Sequence, residues 1–252
     1  MARIKRIEYD ETATLVDHLG ELRSRIIASV AAFGTALALC FWQNHMLLDL
    51  LQGPIGNRQL ITLGVAEPFT TTLTVSAYAA IILALPVVLY QLYAFTIPAL
   101  APDQQRAARG LALLVPVLFI AGAAFAFLVV VPAALQFLLH FNASEFQTEL
   151  RAKEYYTFVT GTTLAVGAVF QVPIGILALS RLGIVTPAKL RHVRRYAYLA
   201  CAVVAAALPG VDPVSMLLET VPLIVLYELS IVLASAFGAK PDPIRPTEGA
   251  TP

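Results

Sequence analysis

Few side chains in this 252-residue chain are placed to do chemistry. Glu21, Arg23 and Arg25 fall together in the run His18–Arg25, while Gln171, Glu219 and Glu228 interrupt stretches that are otherwise apolar. Leu15, Leu19, Leu22 and Ile26 recur at helical spacing, so the first group predicts a helix that carries Asp17, Glu21, Arg23 and Arg25 as it enters a membrane. On such a helix Glu21 can pair with Arg25 four residues on, or it can stand as an exposed acceptor for an incoming cation. In the second group, an ionised carboxylate in hydrocarbon costs several kcal/mol, so an intramembrane acid is a functional candidate. Glu219 is expected near the outer end of its span, within reach of headgroups, and Glu228 about two turns further in, where it is the costlier of the two. Gln171 can donate and accept hydrogen bonds between helices.

The patterns of metalloproteases, serine hydrolases, P-loop NTPases and dinucleotide enzymes (HExxH, GxSxG, GxxxxGK and GxGxxG) are missing. Cys40 and Cys201 lie inside apolar runs without CxxC spacing and read as small buried hydrophobes. The reading is therefore a protein that is not an enzyme and takes no cofactor and no metal. Asn142-Ala143-Ser144 fits the glycosylation pattern, but a three-residue match carries little weight.

The elements that must hold these residues are membrane spans. Hydrophobic residues make up 58% of the chain and charged residues 13%, a composition for lipid and not for water. Charge-free stretches, together with a last apolar segment holding two glutamates, predict an all-α integral membrane protein. Its single domain, residues 1–238, has six spans near 24–44, 70–97, 107–138, 155–181, 196–211 and 214–236. The last two look short for a bilayer, which predicts local thinning; Pro209, Gly210, Asp212 and Pro213 make the turn between them. Pro86, Pro116, Pro132, Pro173 and Pro222 fall inside spans and should bend them, giving a concave scaffold. The outer loop from His45 to Glu67 contains MLLDLL, which suits a short interfacial helix. Trp42, Tyr155, Tyr156, Tyr196 and Tyr198 are expected as interface anchors. The Pro-rich tail, 239–252, reads as flexible and cytoplasmic.

Of the 17 basic residues only Arg58, Arg151 and Lys153 fall in the connections on one side. The positive-inside rule therefore places both termini in the cytoplasm. The N-terminus has no short apolar core with a cleavage site, so it does not read as a removable signal peptide.

Five segments carry a resemblance to a known family: HLGELRSR at His18–Arg25, AEPF at Ala66–Phe69, LPVVLYQLYAFTIPAL at Leu85–Leu100, FQVP at Phe170–Pro173 and PLIVLYELSI at Pro222–Ile231. In this order, on a six-span layout, the chain resembles TatC. The resemblance implies the receptor and core subunit of a twin-arginine translocation system in a bacterial or archaeal plasma membrane. Such a subunit exports folded proteins, binds Arg-Arg signal peptides at its cytoplasmic face, recruits single-span partners of the TatA and TatB type, and self-associates in a complex. No nucleic acid or nucleotide is implied.

The resemblance also assigns residues. Glu21, Arg23 and Phe95 match signal-peptide positions. After Pro98-Ala99-Leu100 the chain reads APDQQR, so Gln104 stands where the family commonly has glutamate, and Asp103 is the nearest carboxylate. Because guanidinium groups favour bidentate carboxylates, Asp103 is expected to substitute in part. Gln171 occupies the intramembrane polar position, often glutamate, that faces partner helices; Asp212, Glu219 and Glu228 complete the intramembrane polar set. Pro54 and Pro86 are structural. The rival reading is a small-solute transporter with Gln171, Glu219 and Glu228 along a path. Against it count the missing internal repeat and a single deep acid; saturable solute flux would favour it.

Overall fold

The computed structural model describes residues 5–56, 58–96, 112–145, 148–181, 183–209 and 212–237. Asp103, Gln104 and the tail lie outside them. Among the described residues ten helices follow in order: α1 (Lys5–Trp42), α2 (Asn44–Gln52), α3 (Glu67–Thr96), α4 (Leu114–Phe125), α5 (Val131–His140), α6 (Ala152–Val169), α7 (Val172–Arg181), α8 (Pro187–His192), α9 (Arg194–Ala207) and α10 (Pro213–Phe237). A π-helical turn, Ala126–Val130, joins α4 to α5. A two-residue strand in each outer connection, β1 (Leu60–Ile61) and β2 (Leu150–Arg151), pairs in parallel. We name the end where α1 begins and α3 and α7 close the inner end, and the opposite one the outer end.

Among the described residues five runs are long and apolar enough to cross a membrane: Leu19–Trp42, Glu67–Phe95, Leu114–His140, Ala152–Arg181 and Pro213–Phe237. The sixth expected span, α9, has 14 residues, about 21 Å of helix against a core about 30 Å thick. Its outer turn is recessed: the Thr162 hydroxyl donates to the Pro209 carbonyl at 2.8 Å, and Thr162 lies about 15 Å along α6 from its outer start. Its partner, helix α10, runs 25 residues, close to the expected 214–236, with both glutamates inside it.

Helix α1 packs along α3, α3 and α4 pack on α6, and α10 packs on α7 and α9. The outer half is closed by a core of Leu51, Ile55, Val75, Val131, Leu135, Ala152, Tyr155, Tyr156 and Val159. Tyr155 and Tyr156 are thus core residues and not interface anchors: burying two rings under α2 recovers more apolar area than a headgroup position does. The Tyr155 hydroxyl is satisfied by the Leu51 carbonyl at 2.6 Å. Trp42 and Tyr196, by contrast, are exposed. The expected outer helix is α2, and Pro54 sits in the 3-10 turn Gly53–Ile55 that follows it.

The prolines act in different ways. Pro86 and Pro222 lie within continuous helices. Pro132 follows the π turn, and Pro173 follows the break at Phe170–Gln171 between α6 and α7. Pro116 follows the turn at Leu113 that separates helical Ala112 from α4, where its missing N–H leaves the Ala112 carbonyl without a helical donor.

Candidate functional site

Glu21 lies on the inner part of α1, one turn before Arg25. The Arg25 Nε donates to Glu21 Oε1 at 3.0 Å, and its Nη2 reaches the same oxygen. The third nitrogen, Nη1, crosses to α3 and donates to Gln91 Oε1 at 3.0 Å and to the Gln91 carbonyl at 3.4 Å. Glu21 remains 35% exposed. Among the described residues its second oxygen accepts no hydrogen bond, so half of the carboxylate is open to a further donor. Arg23 points to solvent, and Phe95 lies half-buried one turn beyond Gln91 in the same helix. The sequence reading missed Gln91, although a lone amide inside LPVVLYQLYAF was a usable signal.

The inner half of α3 also borders a second feature. Leu89, Leu92 and Tyr93 from α3, Val115 from α4, and Gln171, Ile174, Gly175 and Ala178 line a cavity of about 220 Å³. Gln171 sits at the break between α6 and α7, where its carbonyl accepts from the N–H groups of Ile174 and Gly175 at 3.0 Å each. Its side-chain oxygen and nitrogen are buried without a partner among the described residues. An amide left unsatisfied at the wall of an apolar groove is suited to a polar group brought by another helix.

The other intramembrane polar residues do not join this groove. Asp212 caps α10: Oδ1 accepts from the Ser215 N–H at 2.8 Å and Oδ2 from the Ser215 hydroxyl at 2.7 Å. Glu228, expected to be the costlier acid, is bound by Arg194 Nη2 at 2.6 Å and by the Tyr198 hydroxyl at 2.6 Å, and is 34% exposed. Glu219 does not reach toward headgroups. It is 2% exposed, turned into the protein by the helical phase that it shares with Ser215. The order of cost expected from depth is therefore reversed, because side-chain direction and partners outweigh position along the helix.

At the outer end, Arg151 Nε donates to Glu67 Oε1 at 2.8 Å and Nη2 to Oε2 at 3.2 Å. Glu67 Oε2 also accepts from the backbone N–H groups of Leu63 and Gly64 at 2.9 and 3.2 Å. The hydrogen bonds that Arg151 donates to Glu67 push its guanidinium up from its ordinary value. With the β1–β2 pairing, this contact ties the two outer connections together.

Comparison with known proteins agrees with this architecture. The family model "Sec-independent protein translocase protein (TatC)" matches residues 17–222. A TatC protein of Desulforapulum autotrophicum is 33% identical over 239 residues, covering 92% of this chain and 88% of its own. One from Halalkalibacterium halodurans is 36% identical over 227 residues, covering 86% and 87%. A crystal structure described as the twin arginine translocase receptor TatC superposes with a TM-score of 0.73 at 35% identity, covering 87% of this chain and 98% of that one. With its motifs, its membrane-length helices and these matches taken together, the chain belongs to the TatC family, the Sec-independent protein translocase component.

Proposed function

We propose that the inner end of α1 and α3 is the receptor for the paired arginines of a signal peptide, with Glu21 as its principal acceptor. A component of the twin-arginine translocase moves proteins and needs no reactive group. What it needs is a carboxylate that can hold a guanidinium. The observation that carries the reading is the Glu21–Arg25 contact: the carboxylate already accepts a guanidinium, while its other oxygen stays open. Phe95, one turn past Gln91 on α3, supplies an apolar side chain for the peptide in this reading. In this reading Arg23 meets lipid phosphate or the signal-peptide backbone, and Asp103 supplies the second carboxylate in place of Gln104. An Asp103→Asn variant with unchanged peptide affinity would remove Asp103 from the site.

The same reading assigns the cavity at Gln171 to single-span partner helices of the TatA and TatB type, held by hydrogen bonds to its amide. The chain acts in a plasma membrane with both termini cytoplasmic, as the placement of Lys and Arg supports. The recessed turn at Pro209 supports local thinning of the bilayer beside α9. The test is export in cells lacking their own TatC. Glu21→Ala should stay in the membrane yet fail to export a folded reporter carrying an Arg-Arg leader, and undiminished export would overturn the assignment.

A further inference from the structure

We propose that Glu219 is a proton-binding site in the membrane interior, its carboxyl neutral in the folded protein. Asp212, Ser215 and Glu219 follow one another at spacings of three and four, so they share one face of α10. All three are buried, at 4%, 0% and 2% exposure. Their surroundings are unlike. Both oxygens of Asp212 accept hydrogen bonds from Ser215, which suits an ionised carboxylate. Neither oxygen of Glu219 has a hydrogen-bond partner among the described residues.

Among the described residues no cation pairs with Glu219. Its neighbours are α5, the π turn, α7, α8 and α9. The π turn has no titratable group, α5 has only His140 at its outer tip, and α7 has only Arg181 at its inner end. Helix α8 brings Lys189, Arg191 and His192, and α9 brings Arg194, Arg195, Tyr196, Tyr198 and Cys201, with its cations at the inner end. Arg194 is engaged by Glu228. On α10 itself Tyr227 and Glu228 lie more than two turns inward. On the same face of α10 as Glu219 stands Asp212, a carboxyl of the same kind.

An ionised carboxylate there would be buried with no donor, no cation and a like charge on its own face, the most costly combination available to a side chain. A neutral carboxyl needs only one acceptor, for its O–H. Pro222 has no N–H, so the carbonyl of Leu218, the residue before Glu219, lacks its helical donor. A metal ion is a poorer fit, since no group of three or more His, Cys, Asp or Glu side chains among the described residues could hold one. The bound proton therefore keeps the recessed α9–α10 hairpin seated, and losing it would set a free charge into the packing beneath the Pro209 turn.

The test is infrared spectroscopy of the full-length protein in detergent, titrated through neutral pH, on the parent, Glu219→Gln and Glu228→Gln. The parent and Glu228→Gln should show a protonated-carboxyl stretch at neutral pH, where a water-exposed glutamate, with pKa about 4.3, is ionised. In Glu219→Gln that stretch should be gone. Its absence from the parent, or its persistence in Glu219→Gln, would overturn the site. Thermal unfolding gives an independent reading. The unfolded chain ionises its glutamate above about pH 4.3 and the buried carboxyl resists, so Glu219→Gln should match the parent below that pH and exceed it by a growing margin as pH rises toward neutral. A Gln variant with a lower Tm than the parent at every pH would mean that the fold requires the charged carboxylate, and would equally overturn the proposal.

Discussion

Arg25 holds Glu21 from one turn further along α1 and, with its remaining nitrogen, binds Gln91 of α3, so one guanidinium occupies the candidate acceptor and joins two helices. An incoming arginine must share the carboxylate with this resident one or displace it. Exposed pairs of this kind are worth up to about 1 kcal/mol. Arg25→Gln should therefore tighten binding of an Arg-Arg signal peptide by up to about fivefold. Titration of labelled peptide into the purified variant reads this directly, and weaker binding would make Arg25 part of the receptor and not a competitor.

The Glu67–Arg151 contact closes the outer face across 84 residues of sequence. Glu67→Gln and Arg151→Lys should each lower Tm by several degrees, since lysine cannot give two nitrogens to two carboxylate oxygens. Because the partners act as a unit, the double variant should lose less than the two single losses added. Strictly additive losses in a double-mutant cycle would show that the two side chains contribute separately.

Much of the membrane architecture is legible from charge alone. Stretches free of Lys, Arg, Asp and Glu mark α3, α4 with α5, and α6 with α7, because lipid excludes those side chains. What pairs with what is not legible. Glu67 and Arg151 meet through a strand register that no local pattern encodes, and Tyr155 is drawn into the core by a helix a hundred residues earlier. Helical phase puts Glu219 and Ser215 on one face but does not say whether that face meets protein or lipid. For the same reason, Glu228 reads as the costlier acid of α10, whereas it is ion-paired and Glu219 is the one that is buried.

Gly122 makes the break at Phe170 possible. A Cβ on it would stand 2.6 Å from Cγ of Phe170, the residue before Gln171. Gly122→Ala should force that ring aside and cost about 1–3 kcal/mol, the usual price of overpacking. It should also displace the Gln171 groove. A variant with unchanged Tm and unchanged partner cross-linking at Gln171 would count against so tight a fit.

Gln171→Leu separates stability from docking. Replacing two unsatisfied buried polar atoms with apolar ones should leave stability unchanged or raise it by about 1 kcal/mol. Cross-linking from the groove to a single-span partner should fall. Retained cross-linking would move partner docking to another face.

The central claim is that Glu21 recognises arginine as arginine. Its most direct test is the affinity of purified protein in detergent for a labelled Arg-Arg signal peptide and for its Lys-Lys counterpart, measured with the parent and with Glu21→Ala. The account predicts that the parent prefers the Arg-Arg peptide, because only guanidinium offers a carboxylate a rigid two-nitrogen fork, and that Glu21→Ala loses both the affinity and the preference. Equal binding of both peptides by both proteins would contradict it.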